Sequence, residues 1–288
     1  MLTRRQFLST GAVAVAAGAA FGADGLLESY RVEVKKFDVT LKRLPPAFDG
    51  FTIAQLSDFH YEKHFSAVPI RKAIDLVNGL QPDLIVLTGD FVTVGTFESN
   101  SHAKRYAAHA AVPCAEILGL MHARLGKYAV LGNHDAYSNA PFIIEALLAQ
   151  GIPVLKNRSI PIERDSARFW LAGIDDALEA QPDLDAAIEK IPREEAIVLL
   201  AHEPDFADEA AQAPIDLQLS GHSHGGQIWI PGIGAPWLPP LARIYPRGLY
   251  QVGNLVLYTN VGVGTIRVPI RLNCVPEVTL ITLRSAHP

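Results

Sequence analysis

The sequence predicts an α/β fold of four layers, a sandwich in which two packed mixed β-sheets are flanked by helices. In the first half of the chain, short apolar runs alternate with amphipathic stretches, whereas the second half is richer in short apolar runs. Several runs stop at a polar cluster, as strands do when they expose loops at a shared sheet edge. Two packed sheets with outer helices account for this pattern better than one doubly wound sheet.

The first half begins with a βαβ unit. Residues 30–41 alternate apolar and polar side chains, which predicts a half-exposed strand that opens the sheet. The apolar run 51–56 predicts a second strand. Residues 67–80 carry apolar side chains on one helical face, and the run 84–88 predicts the strand to which this helix returns.

The same patterns predict the later elements. A helix over residues 101–121 precedes a strand over 127–131, and a further helix begins at Pro141 and ends at Gly151. The second half is predicted to contain short helices at residues 184–190 and 205–212, and strands at residues 154–156, 159–163, 169–174, 196–201, 217–220, 227–230, 255–259 and 278–283.

Length and composition favour one domain over residues 30–288. A chain of 288 residues that is 49% apolar can bury a large core, and neither a repeat nor a Gly/Ser-rich linker divides it. The net charge is −5, and there is no long run of Lys and Arg. Because duplex nucleic acid is bound by clustered cations, no nucleic-acid partner is expected, and no obligate protein partner is inferred.

Residues 1–23 are expected to form a twin-arginine signal peptide. Arg4 and Arg5 precede a run of small apolar residues over 9–22, which is too short to span a bilayer comfortably. Small residues at 17–19 suit a signal peptidase, although an uncleaved membrane anchor remains an alternative. The expected location is therefore the periplasm or cell envelope, with membrane association left open.

The two cysteines, Cys114 and Cys274, lie far apart in apolar surroundings. They provide no disulfide framework and no thiolate set for zinc, so both are expected to be small core residues. A single bridge between them stays open at this stage.

Five polar clusters follow the predicted strands: Asp58-x-His60, Gly89-Asp90, Gly132-Asn133-His134-Asp135, His202, and Gly221-His222-Ser223-His224. Imidazoles together with carboxylates suit borderline divalent metals such as Mn, Fe, Co or Zn, whereas oxygen ligands alone would indicate Mg or Ca. Seven such ligands fit two ions, which can share a carboxylate and bind both oxygens of an in-line phosphoryl displacement. The adjacent glycines permit tight turns.

In this order, the five clusters resemble the motifs of the calcineurin-like metallophosphoesterase superfamily: D-x-H, G-D, G-N-H-[DE], an isolated His, and G-H-x-H. The match runs from Phe51 to the C-terminus without a missing motif. The resemblance implies that residues 30–288 form a metallophosphoesterase catalytic domain, which hydrolyses phosphoester or pyrophosphate bonds. It also implies two divalent ions, Mn, Fe or Zn, with a metal-bridging hydroxide as the nucleophile and no covalent phospho-enzyme.

The resemblance further assigns roles to individual residues. One ion would be held by Asp58, His60, Asp90 and His224, and the other by Asp90, Asn133, His202 and His222. Asp90 would then be the bridging carboxylate. His134 resembles the family's non-ligand histidine that stabilises the transition state or protonates the leaving oxygen, and Asp135 is a candidate for orienting it.

Other polar residues are expected to take no direct part in the site. A lone histidine at a strand end, such as His202, is more often structural than a metal ligand. His202 is interpreted as a ligand only because it stands between the third and fifth clusters. Asp175 and Asp176 are expected to form a turn or a hydrogen-bonding pair at a sheet end. Surface positions, or positions behind the ligands, are expected for His64, His102, His109 and His122.

Departures from other branches of the superfamily narrow the substrate class. The Asp-Arg-Gly motif of the Ser/Thr protein phosphatases does not follow Asp90, and Thr93 stands where purple acid phosphatases place a tyrosine ligand. Residues 225–231 and 247–250 resemble the exported bacterial branch, which includes enzymes similar to UDP-2,3-diacylglucosamine pyrophosphatases. The expected substrate is a phosphorylated small molecule or a lipid-linked phosphate, although those lipid enzymes act on the cytoplasmic side.

The segment 229–246 is rich in Trp, Ile, Leu and Pro and follows two predicted ligands closely. It is a candidate for an apolar wall that meets an acyl chain or a membrane surface, with a cation that reaches a phosphate. The residues considered for these roles are Trp229, Trp237, Leu238, Arg243 and Arg247. A Pro-rich loop that only packs on the domain is an equal alternative.

A non-catalytic envelope protein that binds metal or wall polymer on the same fold is the alternative function. His134 argues against it, because a binding scaffold has no use for a non-ligand histidine at the leaving-group position. The sequence therefore favours catalysis.

Overall fold

The computed structural model describes residues 22–94 and 107–286. The predicted signal peptide over residues 1–23 lies outside this range except for its last two residues, and so do His102 and the first part of the helix predicted over 101–121. Among the described residues, no helix combines the length and the apolar character needed to cross a membrane.

The described residues form strands and helices that alternate through the first half of the chain. The strands are β1 (Glu33–Leu41), β2 (Phe51–Leu56), β3 (Leu84–Thr88), β4 (Lys127–Val130), β5 (Arg158–Arg164), β6 (Ala167–Gly173), β7 (Ile197–Leu200), β8 (Leu217–Ser220), β9 (Gly248–Val252), β10 (Leu255–Thr259) and β11 (Glu277–Ser285). The named α-helices are α1 (Ala67–Leu80), α2 (Ala111–Gly119), α3 (Asn133–Leu148), α4 (Leu184–Ile188) and α5 (Ala207–Ala210), and residues 22–29 are also helical.

The strands form two mixed sheets, which confirms the predicted architecture. The first sheet has the order β1-β11-β2-β3-β4, and the second has the order β5-β6-β7-β8-β10-β9. Strands β2, β3 and β4 are parallel to one another, and β11 lies between β1 and β2, parallel to the former and antiparallel to the latter. In the second sheet β6, β7, β8 and β10 are parallel, while β5 and β9 pair antiparallel at the two edges.

The core between the sheets is formed by side chains that alternate along the strands. Leu84 and Val86 of β3 belong to it together with Val198 and Leu200 of β7. Ile85 lies on the opposite face of β3, where it packs with apolar side chains of α1, α2 and α3. Helices α4 and α5 cover the outer face of the second sheet. Because both faces of these strands are buried, the strands read as continuous apolar runs.

Helix α3 consists of two helical parts that are separated by Asn139, whose backbone angles are non-helical (φ −154°, ψ 78°). The second part begins next to Pro141, as predicted: Asn139 Oδ1 accepts a hydrogen bond of 3.5 Å from the Phe142 amide, as an N-cap does, and Pro141 lies in the first turn. The first part was not predicted; it starts at Asn133, directly after Gly132. The three polar residues 133–135, which the sequence places after a strand, therefore form the first turn of a helix.

Three short elements also differ from the prediction. Residues 154–156 and 227–230 make only isolated bridges, through Val154 to Ala129 and through Ile228 to Leu272. Strand β9 was not predicted, because its pattern of exposed and half-buried side chains lacks an apolar run. All three lie at sheet edges or in loops, where tertiary pairing outweighs local propensity.

Candidate metal centre

The predicted ligands meet where the strands of both sheets end. Asp58 and His60 follow β2, Asp90 follows β3, and His202 follows β7. His222 and His224 come directly after β8, and Asn133 begins α3 after β4. The structure thus brings together all seven residues, here called the ligand cluster: Asp58, His60, Asp90, Asn133, His202, His222 and His224.

Asp58, His60 and His224 form the first part of the ligand cluster. Their potential ligand atoms all lie within 4.8 Å of one another. The Nε2 atoms of His60 and His224 are 2.9 Å apart, and His224 Nε2 is 3.3 Å from Asp58 Oδ1. The other ring nitrogen of His60 lies 3.0 Å from the hydroxyl of Thr93. This leaves Nε2 of both histidines facing a common point, as in a metal site.

Asp90, His202 and His222 form the second part. His202 Nδ1 donates to the Thr88 carbonyl at 2.5 Å, so that Nε2 is free to bind a cation. His222 donates from Nε2 to the Pro240 carbonyl at 2.9 Å, which leaves Nδ1 as its ligand atom. Backbone carbonyls that fix the ring tautomer in this way are typical behind metal-binding histidines.

Asp90 connects the two parts through a single oxygen. Its Oδ2 atom is 3.4 Å from His60 Nε2 and 3.3 Å from His202 Nε2. An oxygen at this position can face two cations at once, as a bridging carboxylate does. Its other oxygen, Oδ1, accepts a hydrogen bond of 3.0 Å from the His134 amide.

Buried polar atoms without partners indicate that the cluster fits a metal. His202 Nε2 and Asn133 Oδ1 are buried and have no hydrogen-bond partner among the described residues. Such atoms are rare in folded proteins, because leaving them unpaired costs free energy. A divalent cation would satisfy both, and the mixture of imidazole nitrogen and carboxylate oxygen suits Mn, Fe or Zn.

Burial places two of the predicted histidine ligands in the ionisation state that a metal requires. Desolvation lowers the pKa of both His60 and His222 to about 3, so both imidazoles are neutral near pH 7. Burial alone would raise the pKa of Asp90, but His202 and His134 hold it well below its usual range. Neutral histidines beside an ionised carboxylate are the forms that bind divalent cations. His202 differs: burial lowers its pKa, but the charge of Asp90 raises it well above the usual value, so His202 would release a proton when a cation binds.

The backbone of the ligand cluster adopts a conformation that is uncommon for residues with side chains. Asp58, His60, Asp90, His222 and His224 have positive φ angles of 53°, 41°, 56°, 67° and 51°. Aspartate and histidine tolerate this left-handed region better than most residues, but it still carries strain, and strained residues concentrate at functional sites.

Gly89 shows why the loops can approach one another so closely. Its φ is 95°, and a Cβ added there would lie 2.5 Å from the Gly132 nitrogen and 2.7 Å from His202 Nδ1. The ligand loops are also bound directly to each other. The His222 amide donates to both oxygens of Asp58 at 3.0 Å, and the His60 amide donates to the Asp90 carbonyl at 3.0 Å.

His134 lies next to the ligands in a form that does not suit metal binding. The Val94 amide donates to His134 Nδ1 at 3.0 Å. Because Nδ1 accepts this bond, the proton of the neutral ring is on Nε2, which then has no free electron pair for a metal. The His134 ring lies 5.0 Å from that of His60 and lines the adjacent cavity. It is therefore placed as a hydrogen-bond donor.

Asp135 is buried, and it contacts backbone amides and not the His134 ring. One oxygen accepts hydrogen bonds from the amides of Phe91 (2.9 Å) and Val92 (3.1 Å), and the other from Gly132 (3.0 Å). These contacts tie the loop after β3, which includes the Val94 amide, to the start of α3. The role of Asp135 in orienting His134 stays a prediction. Asp135 would act indirectly, by holding the loop whose Val94 amide donates to His134 Nδ1.

The residues predicted to lie outside the site do so where the structure describes them. His64, His109 and His122 are exposed. Asp176 accepts hydrogen bonds from the amides of Leu178 and Glu179, as expected for a turn. The two cysteines, Cys114 and Cys274, are free and buried, as expected for core residues.

A cavity of about 340 Å³ opens beside the ligand cluster. His134, His222 and His224 line it on the metal side. A second part of the lining, here called the outer wall, comes from separate loops and is mostly apolar: Leu178, Trp237, Pro239, Pro240, Ile266 and Arg267. Val94, Tyr137 and Glu179 also line the cavity.

The outer wall was predicted only in part. Trp237 lines the cavity as proposed, whereas Trp229, Leu238, Arg243 and Arg247 are not among its described lining residues. Ile266 and Arg267 were missed. They lie in the loop between β10 and β11, more than 40 residues after His224, and no local pattern in the sequence marks them.

A two-sheet sandwich with histidines, carboxylates and an amide gathered at its strand ends has the architecture of a metallophosphoesterase. The model of the calcineurin-like phosphoesterase family matches residues 51–226, more than half of the chain. The chain belongs to this family of metal-dependent hydrolases.

Individual proteins resemble the chain over nearly its whole length. It is 33% identical to the metallophosphoesterase YkuE of Bacillus subtilis, covering 99% of each chain. It is 32% identical to the phosphodiesterase YaeI of Escherichia coli, covering 98% of this chain and 100% of that one. Among solved structures, a putative 5'-nucleotidase of Staphylococcus aureus has a TM-score of 0.48 at 13% identity, covering 81% of this chain and 54% of that one.

Proposed function

We propose that the protein hydrolyses phosphodiester or pyrophosphate bonds at a dinuclear metal centre formed by the ligand cluster. The position of Asp90 Oδ2 carries this proposal. It lies 3.4 Å from a histidine nitrogen of the first part and 3.3 Å from one of the second, so that a single carboxylate oxygen can face an ion in each part.

Each residue of the cluster has a defined task in this proposal. Asp58, His60 and His224 would hold one ion with Asp90, while Asn133, His202 and His222 would hold the other with Asp90. When bound, two divalent ions would neutralise phosphoryl oxygens and lower the pKa of water, which supplies a nucleophile near neutral pH. The strained, mutually bonded loops keep the ligands at fixed separations before a substrate arrives.

His134 would act on the leaving group. Its Nδ1 is engaged by the Val94 amide, so Nε2 carries a proton toward the cavity. A donor at this place can hydrogen-bond to a phosphoryl oxygen or to the departing oxygen and so stabilise the negative charge that develops there. This role also separates the proposed hydrolase from a metal-binding scaffold, which would not need His134.

The outer wall supports a substrate with an apolar or aromatic group beyond the phosphate. Trp237, which lines the cavity, is 50% exposed, and Val268, next to Arg267 in the chain, is 49% exposed. The segment between β8 and β9 that contains Trp237 also exposes Ile233 (79%) and Ile244 (57%). Exposed apolar side chains around a cavity mouth favour a lipid-linked substrate or contact with a membrane surface. The relative YaeI is named a phosphodiesterase, which agrees with an ester that carries two groups.

We further propose that the enzyme is exported to the cell envelope by the twin-arginine route, as a member of the exported bacterial branch. Arg4 and Arg5 with the following apolar run support this location. Replacing both arginines by lysine is expected to retain the protein in the cytoplasm, which fractionation of cells would measure. Envelope localisation of that double variant would contradict the route.

The activity is tested with the purified mature protein. Its metal content is measured after loading with Mn, Fe or Zn, and hydrolysis of bis-p-nitrophenyl phosphate is compared with that of p-nitrophenyl phosphate. Two ions per chain and faster hydrolysis of the diester are expected, with both lost in Asp90→Ala. A metal-loaded protein without turnover would support the scaffold, and a preference for the monoester would contradict the substrate class.

A further inference from the structure

Arg267 is a cation at the exposed end of the cavity. Its side chain is exposed, while His222 and His224, which line the same cavity, are buried. The guanidinium carbon lies 4.8 Å from the centre of the Trp237 ring. No hydrogen bond or ion pair of this guanidinium is found within residues 22–94 and 107–286. Stacking on an aromatic ring leaves the in-plane N–H groups of a guanidinium free to bind an anion.

The backbone at Arg267 is strained. Its φ is 66°, and the Val268 amide donates to the Ile266 carbonyl at 2.7 Å, which closes a three-residue turn with Arg267 at its centre. A long side chain is uncommon in such a turn, since the left-handed region favours glycine or asparagine. The turn fixes the direction in which the Arg267 side chain leaves the loop.

Gln227 ties this turn to the metal-binding loop. Its side-chain oxygen accepts from the Ile266 amide at 2.6 Å, and its side-chain nitrogen donates to the Ile266 carbonyl at 3.1 Å. Gln227 is buried and lies three residues after His224. Arg267 is thus held at a set place relative to the ligand cluster, through a glutamine that the metal chemistry does not use.

We propose that Arg267 determines specificity by binding a second anionic group of the substrate, the non-scissile phosphate of a pyrophosphate diester. This inference rests on the proposed function, in which the ligand cluster binds the scissile phosphate. Arginine binds phosphate oxygens through two parallel N–H groups, and an aromatic stack limits its motion. Glu179 also lines the cavity, but its carboxylate repels an anion, so Arg267 is the group that attracts one.

The test compares two phosphate compounds that differ in the second anionic group. Bis-p-nitrophenyl phosphate has one phosphate, whereas UDP-glucose is a pyrophosphate diester. Hydrolysis of the first by the metal-loaded protein is measured with UDP-glucose as competitor, in the wild type, Arg267→Gln and Arg267→Lys. For each protein, the inhibition constant of UDP-glucose is divided by the KM for bis-p-nitrophenyl phosphate. This ratio is expected to be at least about tenfold higher in Arg267→Gln than in the wild type. Arg267→Lys is expected to retain part of the affinity.

Arg247→Gln is the matched control. Arg247 also stacks on a tryptophan, with its guanidinium carbon 3.6 Å from the Trp229 ring centre, and it donates to the Asn273 carbonyl outside the cavity. Its substitution is expected to leave the inhibition constant of UDP-glucose unchanged, whereas an equal loss in both variants would overturn the role of Arg267.

The remaining outcomes distinguish a failure of the role of Arg267 from a failure of the proposed function. If the wild type hydrolyses bis-p-nitrophenyl phosphate but UDP-glucose does not inhibit it, or inhibits Arg267→Gln equally well, the role of Arg267 is wrong and the proposed function stands. If the metal-loaded wild type hydrolyses no diester, the proposed function fails and the role of Arg267 fails with it.

Discussion

The ligand cluster and the outer wall meet at one cavity but are built in different ways. The carboxylates and imidazoles of the cluster are buried, follow the strands of both sheets, and bind one another's loops. The outer wall comes from loops after β6, β8 and β10, and Trp237 in it is 50% exposed. The difference indicates that the buried ligands determine the type of reaction. The surface loops, whose sequences vary more easily, are placed to select the substrate.

The largest effect is expected when Asp90, the ligand shared by both parts of the cluster, is removed. Asp90→Ala is expected to lose both ions, whereas Asp58→Ala is expected to lose one, because Asp90 Oδ2 lies within 3.4 Å of a histidine nitrogen in each part of the cluster. In both variants kcat is expected to fall by at least about a thousandfold, since the ions supply most of the electrostatic stabilisation. Metal content and kcat are measured together. One retained ion in Asp90→Ala would show that Asp90 is not the bridge.

His134→Ala separates catalysis from metal binding inside the buried region. The expected fall in kcat is about a hundredfold or more, because a positioned hydrogen-bond donor to the developing charge is lost, while both ions remain bound. His109→Ala is the matched control, since His109 is exposed and packs on Phe142. Loss of metal in His134→Ala would make this histidine a ligand, and an unchanged kcat would remove it from the mechanism.

Metal removal tests whether the cluster is formed before ions bind. Ions that bind only the folded protein raise its stability, by about 2.7 kcal/mol at a free concentration 100 times Kd. A chelator is therefore expected to lower the Tm of the wild type and to leave that of Asp90→Ala nearly unchanged. Circular dichroism of the chelated protein is expected to retain the native spectrum. Loss of that spectrum would mean that the fold depends on the metal.

The smallest effect is expected at the outer wall. Trp237→Ala removes an exposed aromatic face and is expected to weaken binding to liposomes and to raise the KM for a lipid-linked substrate by up to about tenfold. Metal content and kcat on bis-p-nitrophenyl phosphate serve as internal references. Trp229→Ala is the control, because Trp229 is not among the described lining residues. Equal liposome binding by all three proteins would contradict a membrane-facing wall.

The same contrast explains how much the sequence could predict. The bounds of β2, α1, β3, β8 and β10 agree with the prediction, because buried strands and amphipathic helices leave local patterns. The seven ligands follow such strands, so their convergence was predictable. Arg267 was not, because it reaches the cavity through hydrogen bonds between Gln227 and Ile266, which are 39 residues apart. Asn133 was identified as a ligand, but its place in the first turn of α3 was not.

The position of β11 governs when the site can form during synthesis. This strand follows every other described strand in the chain, yet it lies inside the first sheet, paired with β1 on one side and with β2 on the other. The first sheet therefore cannot close until β11 has been synthesised, and contacts this distant in sequence are slow to form. Asp58 follows β2, the strand that pairs with β11. The ligand cluster is therefore expected to be complete only after this late pairing.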